Sequence, residues 1–563
     1  MAEPAIRQVA KGVGRAVTKS GVRRHLVSAP EGRSVSEDVA RTAKPGVLDT
    51  HRHHNKVQPP VMDSHRHQAT LAAAPAQFVG ADTTTVKTIQ DLPGPKGLPV
   101  LGTAYEYFRK GNRGQMHKVQ TNFHKKYGKF FKEQLGPVTN VSIADPRLIE
   151  EISRKETKLP FRPPYESWVL YKKMRGQNAG IMSGVGEEWK TARSVLSQRM
   201  LKPKVVSEYS GVMNEVSDAF MDRLRLLRDT SNQQGFIPGL VNELNKWSTE
   251  TITAVLLEKR LGFYDERVPP EAQEFIDSVI SMFLTGHQLM VFANVHKALG
   301  TKVWREHVKA MDSIYRIAEK LIDEKLNQSK RLADLDDKEF ESATSKGSAF
   351  LDYLFASKKL SSQDIKVNTT ELLLGAVDTA ANGLGFAMCL LAQNPRVQER
   401  FHREVQEQYG KGKHVNYNDL QEASYVKAIV KETLRIYPVI PINARVLSQD
   451  TVVGNHSIPK GTCILFNNYT MFHDESYFPD HDEFRPERWI RKGQHKEWDP
   501  FTTLVFGFGA RSCIGRRVAE QELYIALMKI TQNFWLEPTG DPVEPTLRTI
   551  LTQKEIPVQF IDR

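Results

Sequence analysis

From about residue 145 onward, apolar positions recur mostly every three to four residues, and alternation at every second residue is confined to short stretches. This pattern predicts a mainly α protein with a minor β part. Phe130 to Leu135 and Val138 to Ile143 alternate on either side of Gly136-Pro137 and read as a β-hairpin. Strand-like stretches return between Val452 and Ile464, around Gly454-Asn455 and Pro459-Lys460-Gly461. Helical patterns dominate from Asp145 to Leu326, and further helices follow to Tyr437. Two of the longer helices are expected at Asp364 to Gln393 and at Arg516 to Asn533, the latter with Val518, Tyr524, Ile525, Met528 and Ile530 on a buried side. Ser281 to Ala298 is unusually apolar and reads either as plain core or as a substrate entrance or membrane contact. Asn327 to Ser348 is charged and is expected to be an exposed loop. No run of about 18 apolar residues stands out, so no transmembrane helix is expected.

Charge changes the picture at the N-terminus. Residues 1–30 carry Arg7, Lys11, Arg15, Lys19, Arg23 and Arg24 with Glu3 as the only acid, and Val9, Val13 and Val17 repeat at the same period. A basic amphipathic helix of this kind has the composition of a mitochondrial transit peptide; a disordered basic tail is the plainer alternative. Residues 31–90 are polar, with His51, His53, His54, His65 and His67, and read as a disordered linker. Leu92-Pro93-Gly94-Pro95 marks the entry into a folded region, taken as 91–563. The net charge of +12 implies an acidic partner, an anionic membrane surface or nucleic acid, and no nucleic-acid motif is present. The three cysteines, Cys389, Cys463 and Cys513, indicate no disulfide framework and suit a reducing compartment.

Candidate chemistry centres on Phe506-Gly507-Phe508-Gly509-Ala510-Arg511-Ser512-Cys513-Ile514-Gly515, a glycine-rich turn leading into a helix. A thiol at a helix N-terminus is expected to have a lowered pKa and to hold a metal-binding thiolate. A buried structural cysteine is the plain alternative; a phosphate loop fits poorly, because Ser512 stands at the third glycine position. Within the 364–393 helix, the Thr379 hydroxyl can bond the Gly375 carbonyl and open the helix locally, and Asp378 beside it makes a plausible proton relay. A satisfied core aspartate is the alternative. Glu432 and Arg435 share a helix face and can pair. Lys427 and Lys431, on the same helix, form a like-charged pair about a quarter-turn away.

The loop resembles the haem-binding loop of the cytochrome P450 superfamily at six positions: Phe506, Gly507, Gly509, Arg511, Cys513 and Gly515. The resemblance extends from about Leu92 to the C-terminus and implies that superfamily's fold, with haem b as cofactor and Cys513 as the axial thiolate of its iron. It also implies that Trp189, Arg193, Arg445 and Arg511 sit at propionate-contacting positions, and that Phe506 contacts the cofactor. Asp378-Thr379 resembles the oxygen-groove pair, with Ala376 and Ala380 departing from the usual glycine and second hydroxyl. Phe484-Arg485-Pro486-Glu487-Arg488-Trp489 resembles the segment whose arginine, here Arg488, joins Glu432 and Arg435 in a buried network.

Lys427-Ala428 and Lys431-Glu432, with Cys513-Ile514-Gly515-Arg516-Arg517, resemble the superfamily's mitochondrial branch. That implies an acidic ferredoxin of the adrenodoxin type docking on Lys427, Lys431, Arg516 and Arg517. Glu243 to Ser248, Leu257 to Gly262 and Thr301 to Trp304 resemble the vitamin D 24-hydroxylase subfamily without fixing the substrate. The implied function is a monooxygenase that inserts one atom of dioxygen into a hydrophobic molecule, a sterol or steroid. Electrons would come from NADPH through ferredoxin reductase and ferredoxin. The implied location is the matrix side of the inner mitochondrial membrane, with peripheral membrane contact. The alternatives are a haem-thiolate isomerase or dehydratase that needs no dioxygen, and a non-enzymatic haem sensor; Asp378-Thr379 and the lysine pair argue against the isomerase.

Overall fold

The computed structural model describes residues 86–231, 235–333, 350–410, 412–490 and 499–563. The expected transit peptide, nearly all of the linker with its five histidines, and residues 334–349 lie outside the described residues.

The expected hairpin forms as Phe130–Leu135 and Val138–Ile143, turning at Gly136 with φ 59°. Its second strand pairs in parallel with Cys463–Asn467, in the register Val141 to Ile464, and Ile442–Val446 completes a four-stranded sheet. This pairing joins the start of the folded region to the segment just before the cysteine loop. Around it Val141, Ile143, Ile464, Phe466 and Phe508 form a small core of their own.

The larger core is helical. The helix Ser362–Gln393 begins at a capping box in which Ser361 and Asp364 each accept the other's backbone N–H, and it ends before Pro395. By length and composition it could cross a membrane, yet the surrounding helices bury it. Leu240–Leu257 packs along it, and Ser424–Ile436 and Arg516–Asn533 cross it. The last of these has the bounds the sequence predicts.

One expectation needs correction, and another, open in the sequence, divides residue by residue. The helix Lys302–Ala333 continues through residues 327–333, where a loop was expected, because no glycine or proline interrupts Asn327 to Ala333 and most of those residues are good helix formers. The apolar stretch 281–298 is neither uniform core nor one helix. Pro270–Gln288 ends, Phe292 adopts φ 65°, and a short helix Ala293–Ala298 follows. Phe283 and Leu289 enter cores, whereas Met290, Phe292 and Val295 are exposed.

Candidate active site

The cysteine loop is shaped by backbone that only glycine adopts easily. Gly507 and Gly509 have φ of 71° and 63°. A Cβ on Gly509 would lie 2.7 Å from a Glu156 carboxylate oxygen, so an alanine there would be strained and crowded. The Cys513 N–H donates to the Phe506 carbonyl at 2.8 Å and closes the loop. Gly515 then caps the helix Arg516–Asn533.

The Cys513 side chain is solvent-accessible and yet lies deep among protein atoms, so its accessible surface faces an internal hollow. Burial raises its pKa, against the lowering expected from the helix N-terminus. The Gly515 N–H, Arg193 and Arg162 all favour the thiolate but are outweighed by desolvation. A cation bound directly to sulfur would favour the thiolate.

Between Val367 and Ala392 of the core helix, only Gly375, Ala376 and Thr379 are not buried. They share one face by their i, i+1, i+4 spacing. The Thr379 hydroxyl donates to the Gly375 carbonyl at 2.8 Å, as its position predicts, and lies 3.2 Å from the Ala376 carbonyl. The Ser248 hydroxyl also donates to that second carbonyl, at 3.2 Å. Asp378 is buried beside them. Desolvation pushes its pKa up to about 6, opposed by the Asn382 side-chain amide, which donates to its carboxylate at 2.8 Å, and by the charge of Arg548.

One segment ties this helix face to the cysteine loop. The buried Glu371 carboxylate accepts from Lys172, from the Met182 N–H at 2.6 Å and from the Ser183 hydroxyl at 3.1 Å. Gly180 makes the approach possible, since a Cβ there would fall within 2.3 Å of the carboxylate. The Met182 sulfur sits 3.5 Å from where a Gly375 Cβ would be. Two residues on, the Gly184 carbonyl accepts from Arg511 at 2.9 Å.

Arg511 belongs to a cluster of cations. Its guanidinium lies 3.6 Å from the Trp189 ring centre, and burial together with Arg162, Arg445 and Arg193 pushes its pKa down to about 9. Arg445 donates to Glu156 at 2.7 Å and to the Phe508 carbonyl at 3.0 Å. Burial also lowers the pKa of Arg445 and of Arg193, whose guanidinium lies 3.5 Å from the Ser512 hydroxyl. Four guanidiniums, Arg445 and Arg511 buried and Arg162 and Arg193 half-buried, with one nearby carboxylate leave a surplus of positive charge, which suits a ligand carrying two carboxylates. Phe506 is half-buried, with the Arg516 guanidinium 5.5 Å from its ring centre.

The structure thus brings Trp189, Arg193, Arg445, Arg511 and Cys513 together. Sequence reasoning missed Arg162, Glu156, Lys172 and Asn382. Only Arg162 carried a local signal, an arginine before Pro163-Pro164 where a helix is disfavoured.

Farther from the hollow, the Glu432 carboxylate accepts from Arg435 at 3.0 and 2.9 Å, from Arg488 at 2.9 Å and from the Trp489 ring N–H at 2.9 Å. All three charged residues are buried. About a quarter-turn round that helix Lys431 is exposed and Lys427 half-buried. The Lys427 pKa is lowered by burial, then by Lys431 and by Arg517, which places the lysine pair and the post-cysteine arginines on one surface. Glu520 partly offsets them through Arg516 at 2.9 Å and Arg517 at 3.6 Å.

The sequence profile described as Cytochrome P450 matches residues 92–561. Among curated proteins, the mitochondrial 1,25-dihydroxyvitamin D(3) 24-hydroxylase of Mus musculus is 35% identical over 480 residues, 85% of this chain and 90% of the relative. Cytochrome P450 27C1 of Danio rerio is 33% identical over 498 residues, 87% of this chain and 90% of the relative. The mitochondrial 25-hydroxyvitamin D-1 alpha hydroxylase of Homo sapiens is 34% identical over 484 residues, 85% of this chain and 93% of the relative.

Proposed function

The chain belongs to the cytochrome P450 family, haem-thiolate monooxygenases, and from that premise we propose that it hydroxylates a sterol or secosteroid in mitochondria with electrons delivered by a ferredoxin. The carrying observation is a deep cysteine whose accessible face opens into the molecule, linked through residues 180–184 to the one accessible face of the core helix. The residues present fit haem. Cys513 would hold the iron, and Trp189, Arg193, Arg445 and Arg511, with Arg162, would hold the two propionates; Phe506 would pack against the ring.

Haem, when bound, supplies the activation of dioxygen and the oxygen-atom transfer. The chain supplies position and protons. Thr379 keeps its hydroxyl at the open face by donating to the Gly375 carbonyl. Asp378, with a pKa near 6, exchanges protons readily near neutral pH and can resupply that hydroxyl. The surrounding apolar core favours proton delivery through this pair.

In a system reconstituted with NADPH, ferredoxin reductase and ferredoxin, wild type is expected to form a product carrying one atom from dioxygen. Thr379→Ala should bind the same substrate and still consume NADPH. Its product rate should fall about a hundredfold, with more hydrogen peroxide per product. Unchanged coupling would mean that another group delivers the protons.

Lys427, Lys431, Arg516 and Arg517 form the surface offered to an acidic ferredoxin. Electrostatic docking speeds encounter and weakens with salt. Lys427→Glu with Lys431→Glu should raise the apparent KM for ferredoxin about tenfold or more at low salt, while the carbon monoxide spectrum stays normal. Equal rates at subsaturating ferredoxin would remove this surface from the reading.

The relatives named as mitochondrial and the basic residues 1–30 support import into mitochondria. Exposed Phe292 lies 3.9 Å from a Gly136 Cβ position and so adjoins the hairpin bearing exposed Val138, and Met290 and Val295, close to it in the chain, are exposed as well. Such a patch supports peripheral contact with the inner membrane from the matrix side. A full-length fluorescent fusion should appear in mitochondria and pellet with inner membranes. Cytosolic fluorescence would sink the first proposal, and a soluble matrix protein the second.

A further inference from the structure

A small hairpin near the C-terminus, Thr546–Arg548 paired with Ile550–Thr552, turns at Thr549 with φ 72°. The Thr549 hydroxyl donates to the Phe283 carbonyl at 3.2 Å and pins the tip to the helix Pro270–Gln288. The first strand packs on that helix and the second on the core helix, where the Gln553 N–H donates to the Asn382 side chain at 3.2 Å. The hairpin therefore sets Arg548 between the two helices.

Arg548 is half-buried and makes no hydrogen bond or ion pair with any described residue. Its charge acts on both Asp378 and His287. The hairpin is packed into the fold on either side of Arg548, with Leu547 and Leu551 buried and Thr549 bonded to the helix Pro270–Gln288, and the guanidinium charge acts on Asp378 of the core helix. Asp378 makes no hydrogen bond to it; its carboxylate accepts from Asn382. His287 is half-buried, and its Nδ1 is buried without a partner. Burial and Arg548 both favour the neutral imidazole.

Five guanidinium N–H donors with no acceptor make an incomplete site. A hydroxyl could fill one or two of them and would leave the charge unbalanced, whereas a carboxylate fills the guanidinium fork with two parallel bonds. We propose that Arg548, assisted by His287, is a subsite for a carboxylate at the far end of an otherwise apolar substrate. This deepens the proposed function and rests on reading the hollow as the haem-bearing substrate chamber.

The test is an optical titration of the haem-loaded protein with 3β-hydroxy-5-cholenoic acid and with its methyl ester, which differ only in the anion. For wild type the acid should bind at least tenfold more tightly than the ester. Arg548→Gln should bring the acid down to the affinity of the ester, and Arg548→Lys, which keeps the charge and loses the fork, should fall between. The reduced carbon monoxide spectrum reports whether each variant is folded. Equal binding of acid and ester by wild type, or an acid preference that survives Arg548→Gln, overturns the subsite and leaves the chamber standing. No spectral shift from the acid, the ester or any neutral sterol overturns the chamber and the subsite together.

Discussion

Replacing Cys513 by histidine is expected to abolish the far-red-shifted Soret band of the reduced carbon monoxide complex and to reduce hydroxylation to background. The shifted band reports a thiolate ligand, and the same thiolate donates the electron density that favours O–O cleavage. The two other cysteines cannot take its place. Burial pushes the Cys389 and Cys463 thiols up to about 12. Cys389 lies within the core helix and Cys463 starts a central strand, so neither stands on a loop that lets a large flat ligand approach. Cys389→Ser and Cys463→Ser should therefore keep the band. Retention of the band by Cys513→Ser, together with its loss in either of the others, would assign the ligand elsewhere.

Glu432→Gln should be the most destabilising of the conservative changes. The carboxylate receives two bonds from Arg435, one from Arg488, one from the Trp489 ring and one from the Arg485 backbone N–H at 3.2 Å. The amide keeps the shape, removes the countercharge of two buried guanidiniums and turns a donor toward their donors. Breaking a buried network in this way costs about 3–5 kcal/mol. The readouts are the yield of haem-loaded protein and the urea midpoint. The exposed pair Lys190–Glu187, 3.0 Å apart, is the contrast, since Glu187→Gln should cost no more than about 1 kcal/mol. Equal midpoints for Glu432→Gln and Glu187→Gln would show that the network does not hold this part of the core.

The elements that local physics controls were legible in the amino-acid order. Gly507 and Gly509 marked the cysteine loop because glycine adopts left-handed backbone without strain, and helical periodicity placed Arg516–Asn533 and the core helix nearly to the residue. Thr379 could be aimed at Gly375 because the two are four residues apart on one helix. Glu432 and Arg435 could be paired for a similar reason, at a spacing of three.

The remainder depends on groups far apart in the chain. The meeting of Arg162, Arg193, Arg445 and Arg511 depends on packing a loop, a helix, a strand and a turn together, and no spacing encodes it. For the Cys513 thiol the helix terminus is a local influence that the sequence shows, whereas the desolvation that opposes it comes from the whole surrounding core. The split of residues 281–298 into buried and exposed parts likewise followed from which neighbours arrive. Phe283 and Leu289 meet other parts of the chain, whereas Met290, Phe292 and Val295 stay at the surface. Periodicity specifies which side of an element is apolar; burial, and the charge balance it enforces, is a property of the assembled molecule.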